Sequence, residues 1–263
     1  MKEIFSSGGG TQSTAIAALI YQAKLYKPDM IVIVDTGREC SETWQYLETV
    51  INTALKKIGL EVIRIDPGWA SIPKHGKNYL SHNGKTLLIG AWTNQNGQVG
   101  KLSSFCSKSW KVHARDRYLS KKFRITQSKR VMWIGFSADE WRRAQRIMVS
   151  DEGKKGLIML PLIQKVMMTR WEAIREVENL GWPTPPRSRC WMCPNQADDE
   201  WRDLKLNHPD EFQKAIDFEK EMQEYDPFAW LHKSCIPLGK VDFSKDPTLF
   251  DSGLYCNSGV CFV

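Results

Sequence analysis

The chain of 263 residues has no run of about 18 apolar residues, so it offers no membrane-spanning helix. Its opening, MKEIFSSGGG, lacks the basic-then-apolar pattern of an export signal. These two absences point to the cytoplasm and to no membrane partner. None of the five histidines stands at ligand spacing from another, which argues against a histidine-based metal centre. There is no internal repeat and no low-complexity block. The glycine-rich stretch Ser6–Ser13 contains no lysine, which excludes a Walker A loop, and its spacing does not fit G-x-G-x-x-G, which excludes a dinucleotide fingerprint.

Acidic charge is also in short supply. Lys and Arg number 37 against 30 Asp and Glu, giving a net charge of +7. Such a surface suits a nucleotide, a nucleic acid or another polyanion, and it equally suits a merely soluble protein. The length is enough to bury a core without disulfides or metal. Seven cysteines are present, at positions 40, 106, 190, 193, 235, 256 and 261. In a reducing compartment they are not expected to pair as disulfides.

Short apolar runs alternate with helix-like stretches. Strands are expected at 2–5, 30–34, 61–65, 131–136 and 157–160, each apolar and bounded by Gly, Pro or Asp. Helices are expected at 13–26, 41–58, 138–148 and 169–180, the first with Ile16, Leu19, Ile20 and Ala23 on one face. The alternation predicts an α/β fold with a parallel sheet. Ligands of such sheets bind where strands end. That singles out Ser7–Ser13, Asp35–Glu39 and Gly135–Arg143. Residues 67–108 read as a long irregular excursion. After Pro183 the alternation breaks at PTPPRSRCWMCPNQ, and helices are expected at 199–206 and 209–225 before a loop-rich tail. The chain is accordingly divided into a nucleotide-binding domain, 1–187, and a C-terminal helical, cysteine-rich region, 188–263.

Behind the first strand, Gly8, Gly9, Gly10, Thr11, Gln12 and Ser13 lead into a helix. Glycines let backbone N–H groups approach a phosphate, and a helix start adds positive potential. A plain tight turn fits the same residues.

The loop resembles the PP-loop of the ATP pyrophosphatase and phosphoadenylyl-sulfate (PAPS) reductase superfamily, S-G-G-x-D-S. Gly9, Gly10 and Ser13 match, Gly8 replaces the Ser and Gln12 replaces the Asp. VDTGRECSETWQYL is similar to the family's D-T-G-x-E motif through Asp35, Thr36, Gly37 and Glu39, with Thr43 following. GFSADEWRRA is similar to its G-x-R-x-D-E-x-x-R-A element through Gly135, Asp139, Glu140, Arg143 and Ala144, with Ser137 where Arg is usual. LPLIQKVMMTRWEAIREVENLGWPTPP resembles the stretch that follows. The resemblance covers roughly residues 4–225. It implies a Rossmann-like adenine nucleotide alpha hydrolase fold with a five-stranded parallel sheet. It also implies ATP or an adenylyl sulfate as ligand, with Mg²⁺ as a further candidate. Arg143 could take an anionic group bidentately, or be an ordinary surface arginine.

CWMC, Cys190 to Cys193, could be a redox pair, half a zinc site or part of an iron–sulfur site. Iron-dependent members of the family hold a [4Fe–4S] cluster on a cysteine pair followed by a lysine and on a later C-x-x-C. Here Cys106 and Lys111 match, while position 107 is Ser. The expected ligands are Cys106, Cys190, Cys193 and one of Cys256 and Cys261, with Cys256 preferred. Zinc on the same four is the rival. Cys40, Cys235, His113 and His232 read as structural or surface residues. Trp191 could shield a cluster, and core packing is the reading for most of the tryptophans at 110, 133, 141, 171, 182, 191 and 201.

The family reading implies an enzyme that adenylates an acceptor or transfers sulfur to it. The acceptor could be a nucleic acid or a protein, and a homo-oligomer remains compatible. Lys111 and Arg143 would neutralise developing charge, and Cys261 would be available as an attacking thiol. Reduction of an adenylyl sulfate to sulfite is the alternative, although the chain ends LYCNSGVCFV and lacks the reductase segment Glu-Cys-Gly-x-His. A nucleotide-binding module without turnover is the third reading, supported by Gln12.

Overall fold

Short β-branched runs closed by turn residues become strands. The computed structural model describes residues 1–66, 87, 89–95 and 97–244. Its strands include β1 (Lys2–Ser6), β2 (Met30–Val34), β3 (Val62–Ile65), β4 (Arg130–Ile134) and β5 (Ile158–Met159). They form one five-stranded sheet in the order β3-β2-β1-β4-β5, every pair parallel. Phe5 sits beside Ile31 on one side and Trp133 on the other. The chain first steps outward from β1 through β2 to β3, then returns to the other side of β1. The switch point therefore falls between the carboxyl ends of β1 and β4, where open α/β sheets bind ligands.

Helices cover the sheet. They are α1 (Thr11–Tyr21), α2 (segments Ser41–Tyr46, Leu47–Asn52 and Thr53–Lys56, the middle one π-helical), α3 (His113–Phe123), α4 (Trp141–Met148) and α5 (Arg170–Asn179). The first is buried nearly all round. Ile16, Leu19 and Ile20 join the core, and the small Ala15, Ala17 and Ala18 are buried too, where α1 packs on α5. It stops short of the expected end because Ala23 takes φ +58 and the Lys24 N–H returns to the Leu19 carbonyl at 2.9 Å. Ala23 is exposed and belongs to no helix face. The fifth helix opens on a capping box of Thr169 with Glu172 and closes just before Gly181, whose φ is +80.

Contacts divide the chain into two units, Met1–Pro67 with His113–Ser188, and Gly68–Val112 with Arg189–Val263. The boundary expected at 187/188 lies beside one junction. Segment 68–112, which the sequence places in the nucleotide domain, groups with the C-terminal part. The physical reason is strand pairing: Trp92–Thr93 pairs antiparallel with Gly100–Lys101 on one side and with Ala229–Trp230 on the other. The second unit also contains α6 (Asp198–Asn207) and α7 (Pro209–Gln223), which pack together around Trp201, Phe212, Phe218 and Met222. Glu219 on α7 is buried and accepts backbone N–H bonds from Leu231 at 2.8 Å and Leu238 at 2.7 Å, which tie the following chain to the helix.

Candidate functional site

In the first unit the glycine loop leaves β1 at the switch point. Gly9 has φ +75, and a Cβ there would meet Thr43 Cγ2 at 2.7 Å and Ile33 Cδ1 at 3.1 Å. Only glycine fits this position. A Cβ at Gly10 would lie 3.0 Å from the Ser188 amide nitrogen. Gly8 differs, because its nearest neighbour would be Ser13 Oγ at 3.7 Å. The Gly8 N–H donates to that Ser13 hydroxyl at 2.8 Å, which fixes the loop against the first turn of α1. No side chain among the described residues caps α1, whose N-cap is Gly10, and its first turn carries no acidic residue. Backbone donors at a helix start attract an anion, and here no carboxylate of α1 opposes it. Thr43 is fully buried behind the loop, and its Oγ1 has no hydrogen-bond partner among the described residues.

The end of β2 forms the second wall. Asp35 Oδ1 accepts the Gly37 N–H at 2.7 Å in a turn where Gly37 has φ +69. Its Oδ2 takes Arg64 Nε at 3.0 Å and Nη2 at 2.5 Å. Arg64 lies 3.9 Å over the Trp44 ring. Thr36 and Glu39 are buried, and Glu39 accepts the Ser188 hydroxyl. The D-T-G-x-E residues are thus held by Arg64 and Ser188, which the motif itself does not contain.

The end of β4 supplies the third group. Gln12 Nε2 donates to Ser137 Oγ at 3.3 Å and to Glu140 Oε2 at 3.0 Å. Arg143 pairs with the other oxygen of Glu140 and lies 4.5 Å over the Phe136 ring. Gln12, Glu140 and Arg143 therefore form one polar chain beside Gly135, where a Cβ would approach Gln12 Cβ to 3.4 Å. Position 12 carries no charge, and its amide instead orients a carboxylate from the next strand end.

One cation near this end was not singled out by the sequence. Arg115 on α3 is buried and donates to Ser6 Oγ at 3.1 Å, at the last residue of β1. Asp116 pairs with it at 2.9 Å and with Arg130 at 2.7 Å, so two buried arginines share one carboxylate. Burial pushes the Arg115 pKa down, and Asp116 opposes that. Its segment reads in the sequence only as a basic run. With Ala114 and Leu119 as its only buried apolar residues, α3 shows almost no helical periodicity.

The second unit holds Cys106, Cys190 and Cys193, all partly exposed. Cys193 N–H bonds the Cys190 carbonyl at 3.0 Å, closing the C-x-x-C turn. Gln196 stands below it, with Nε2 at 3.4 Å from the Cys190 carbonyl, 3.2 Å from Trp191 and 3.4 Å from Cys193. Cys106 lies 3.2 Å from Ser104 Oγ. Burial pushes the Cys106 thiol up; Cys193 adds to that, while Ser104 and Lys111 oppose it. Cys106 thus feels the charges of both Cys193 and Lys111. Cys256 and Cys261 lie outside the described residues. Lys111 belongs to this unit, and Arg143 belongs to the unit with the glycine loop.

Two further expectations change. His232 is buried rather than a surface residue. Its Nδ1 accepts the Ser234 N–H at 3.2 Å, and its Nε2 meets Asp198 at 3.1 Å. Trp110, Trp133 and Trp201 are core residues as expected, but Trp141 and Trp171 stand 58% and 66% exposed. No family model and no curated protein matches the chain.

Proposed function

We propose that the chain is an adenine-nucleotide-binding enzyme of PAPS reductase-like type, acting by adenylation of an acceptor or by sulfur transfer. One observation carries this reading. A glycine loop and a helix start with no acidic residue of its own in the first turn stand at the switch point of a parallel sheet. In this reading Gly8–Ser13 cradle phosphate, Asp35–Glu39 border the nucleotide and Arg143 neutralises charge. Arg143 would have to exchange part of its pairing with Glu140 for the ligand. A [4Fe–4S] cluster would sit on Cys106, Cys190 and Cys193, with Cys256 or Cys261 as fourth ligand and zinc as the rival. Three soft sulfur donors share one unit and Cys106 feels the charges of Cys193 and Lys111, which supports the reading. Cys106, Cys190 and Cys193 do not, however, gather their sulfurs within 4.8 Å of one another as a group. Such a centre would supply electron-transfer or sulfur-handling chemistry when bound.

Gln12 favours the second reading, a binding module without turnover. It puts an amide where the PP-loop has a carboxylate, which weakens any Mg²⁺–pyrophosphate arrangement. A product assay separates the readings. Pyrophosphate from ATP supports the first. Tight binding with neither pyrophosphate nor sulfite supports the second. Sulfite from an adenylyl sulfate with a thiol donor would replace both with sulfonucleotide reduction.

A further inference from the structure

We propose that the tryptophan–arginine surface beside the switch point binds single-stranded nucleic acid and presents it as the acceptor. The role as acceptor rests on the adenylation reading above; the binding itself does not. Trp141 opens α4 directly after the β4 loop, and Trp171 is the second residue of α5. The two loops are laced together. The Ala138 N–H bonds the Met168 carbonyl at 2.8 Å, and the Arg170 N–H bonds Asp139 Oδ1 at 2.9 Å. Trp141 and Trp171 are therefore carried on neighbouring helix starts at the ligand-binding end of the sheet. Met167 extends the patch. It is 67% exposed and held at φ +48, a conformation that a side chain of its size rarely adopts. Core packing does not require three large apolar side chains in water, and their exposure on joined loops and helix starts marks a contact surface.

Charge selects the occupant. Trp141 is followed by Arg142, and Trp171 is preceded by Arg170. Arg146, Arg175 and Lys165 are exposed on the same two helices and the loop before α5. Arg142, Arg146 and Lys165 make no salt bridge with any described residue. The acids within reach are already engaged. Asp139 accepts the Arg170 N–H, Glu140 pairs with Arg143, Glu172 closes the Thr169 capping box and Glu176 pairs with Lys24. A protein partner would favour an apolar centre with few charges. Exposed aromatic side chains among exposed guanidinium groups instead match bases that stack and phosphates that pair, which is how unpaired strands are held without sequence preference. A duplex hides its base faces and cannot use the tryptophans.

The test is fluorescence anisotropy with labelled 20-mers of dT and of rU, with a blunt duplex as control, on the full chain. Single strands should bind, in DNA or RNA form or both, with affinity falling steeply as salt rises. Trp141→Ala and Trp171→Ala should each weaken binding roughly tenfold. Leu206→Ala, which removes a 70% exposed apolar residue of the other unit, should leave it unchanged. Both tryptophan variants should keep the wild-type melting temperature and nucleotide affinity. The proposal is overturned if wild-type protein ignores single strands at low salt, if the tryptophan variants bind as wild type, or if sedimentation shows the tryptophans holding two copies together. Tryptophan-dependent strand binding without ATP binding would uphold the surface and remove the adenylation reading. ATP binding without strand binding would do the reverse.

Discussion

At the scale of single residues, neighbouring glycines in the loop have different reasons to be glycine. Gly9 is required by the fold, through φ +75 and the 2.7 Å approach of Thr43. Gly9→Ala should therefore lower stability by about 1–3 kcal/mol. Gly8 has room for a methyl, so Gly8→Ala should fold with a near-wild-type melting temperature. Any loss of nucleotide affinity in that variant then reports the loop's close approach to a ligand. Calorimetric titration of both variants checks the pair; equal affinity in Gly8→Ala would deny the loop that contact. The sequence shows the three glycines but cannot rank them, because the ranking depends on Thr43 and Ser188, distant in the chain. Arg64, Ser188 and Arg115 escaped the sequence for the same reason: each acts through a partner that only folding supplies.

Elements were legible where their periodicity was strong. All five parallel strands could be read from short apolar runs, and the end of α5 from Gly181 and Pro183. Where burial was polar, legibility failed, as in α3, whose buried face includes Arg115. The buried His232 was missed because a lone histidine carries no pattern; burial favours its neutral form, and its partners Asp198 and Ser234 set the proton on Nε2. Burial lowers its pKa below the ordinary 6.5, and Asp198 only partly offsets this. The unfolded chain then binds the proton more tightly than the folded one. Stability linked to His232 is full above pH 6.5 and is lost as pH falls toward the depressed folded value. The unfolding free energy should drop over that window by at most about 1.4 kcal/mol per pH unit, and the melting temperature with it. His232→Gln should flatten the dependence while lowering stability at pH 7.5. A wild-type profile that stays flat between pH 7 and 5 would contradict this.

For the molecule as a whole, the two kinds of chemistry read from the sequence fall in different units, the glycine loop in one and the cysteines in the other. Metal content tests the cysteines of the second unit. Protein purified without oxygen should carry a bound metal centre, brown if iron–sulfur and colourless if zinc. Cys106→Ser or Cys190→Ser should reduce the bound metal to background, with unit-wide loss of stability because metal binding couples to folding. Full metal occupancy in both variants would remove these cysteines as ligands. The central claim concerns the other unit. Calorimetric titration of the intact protein with ATP, repeated on Arg143→Ala, tests it most directly. The wild type should bind saturably and one-to-one, and the variant, melting at the same temperature, should bind at least roughly tenfold more weakly. No heat of binding from ATP or from an adenylyl sulfate, in protein that is folded, would contradict the claim.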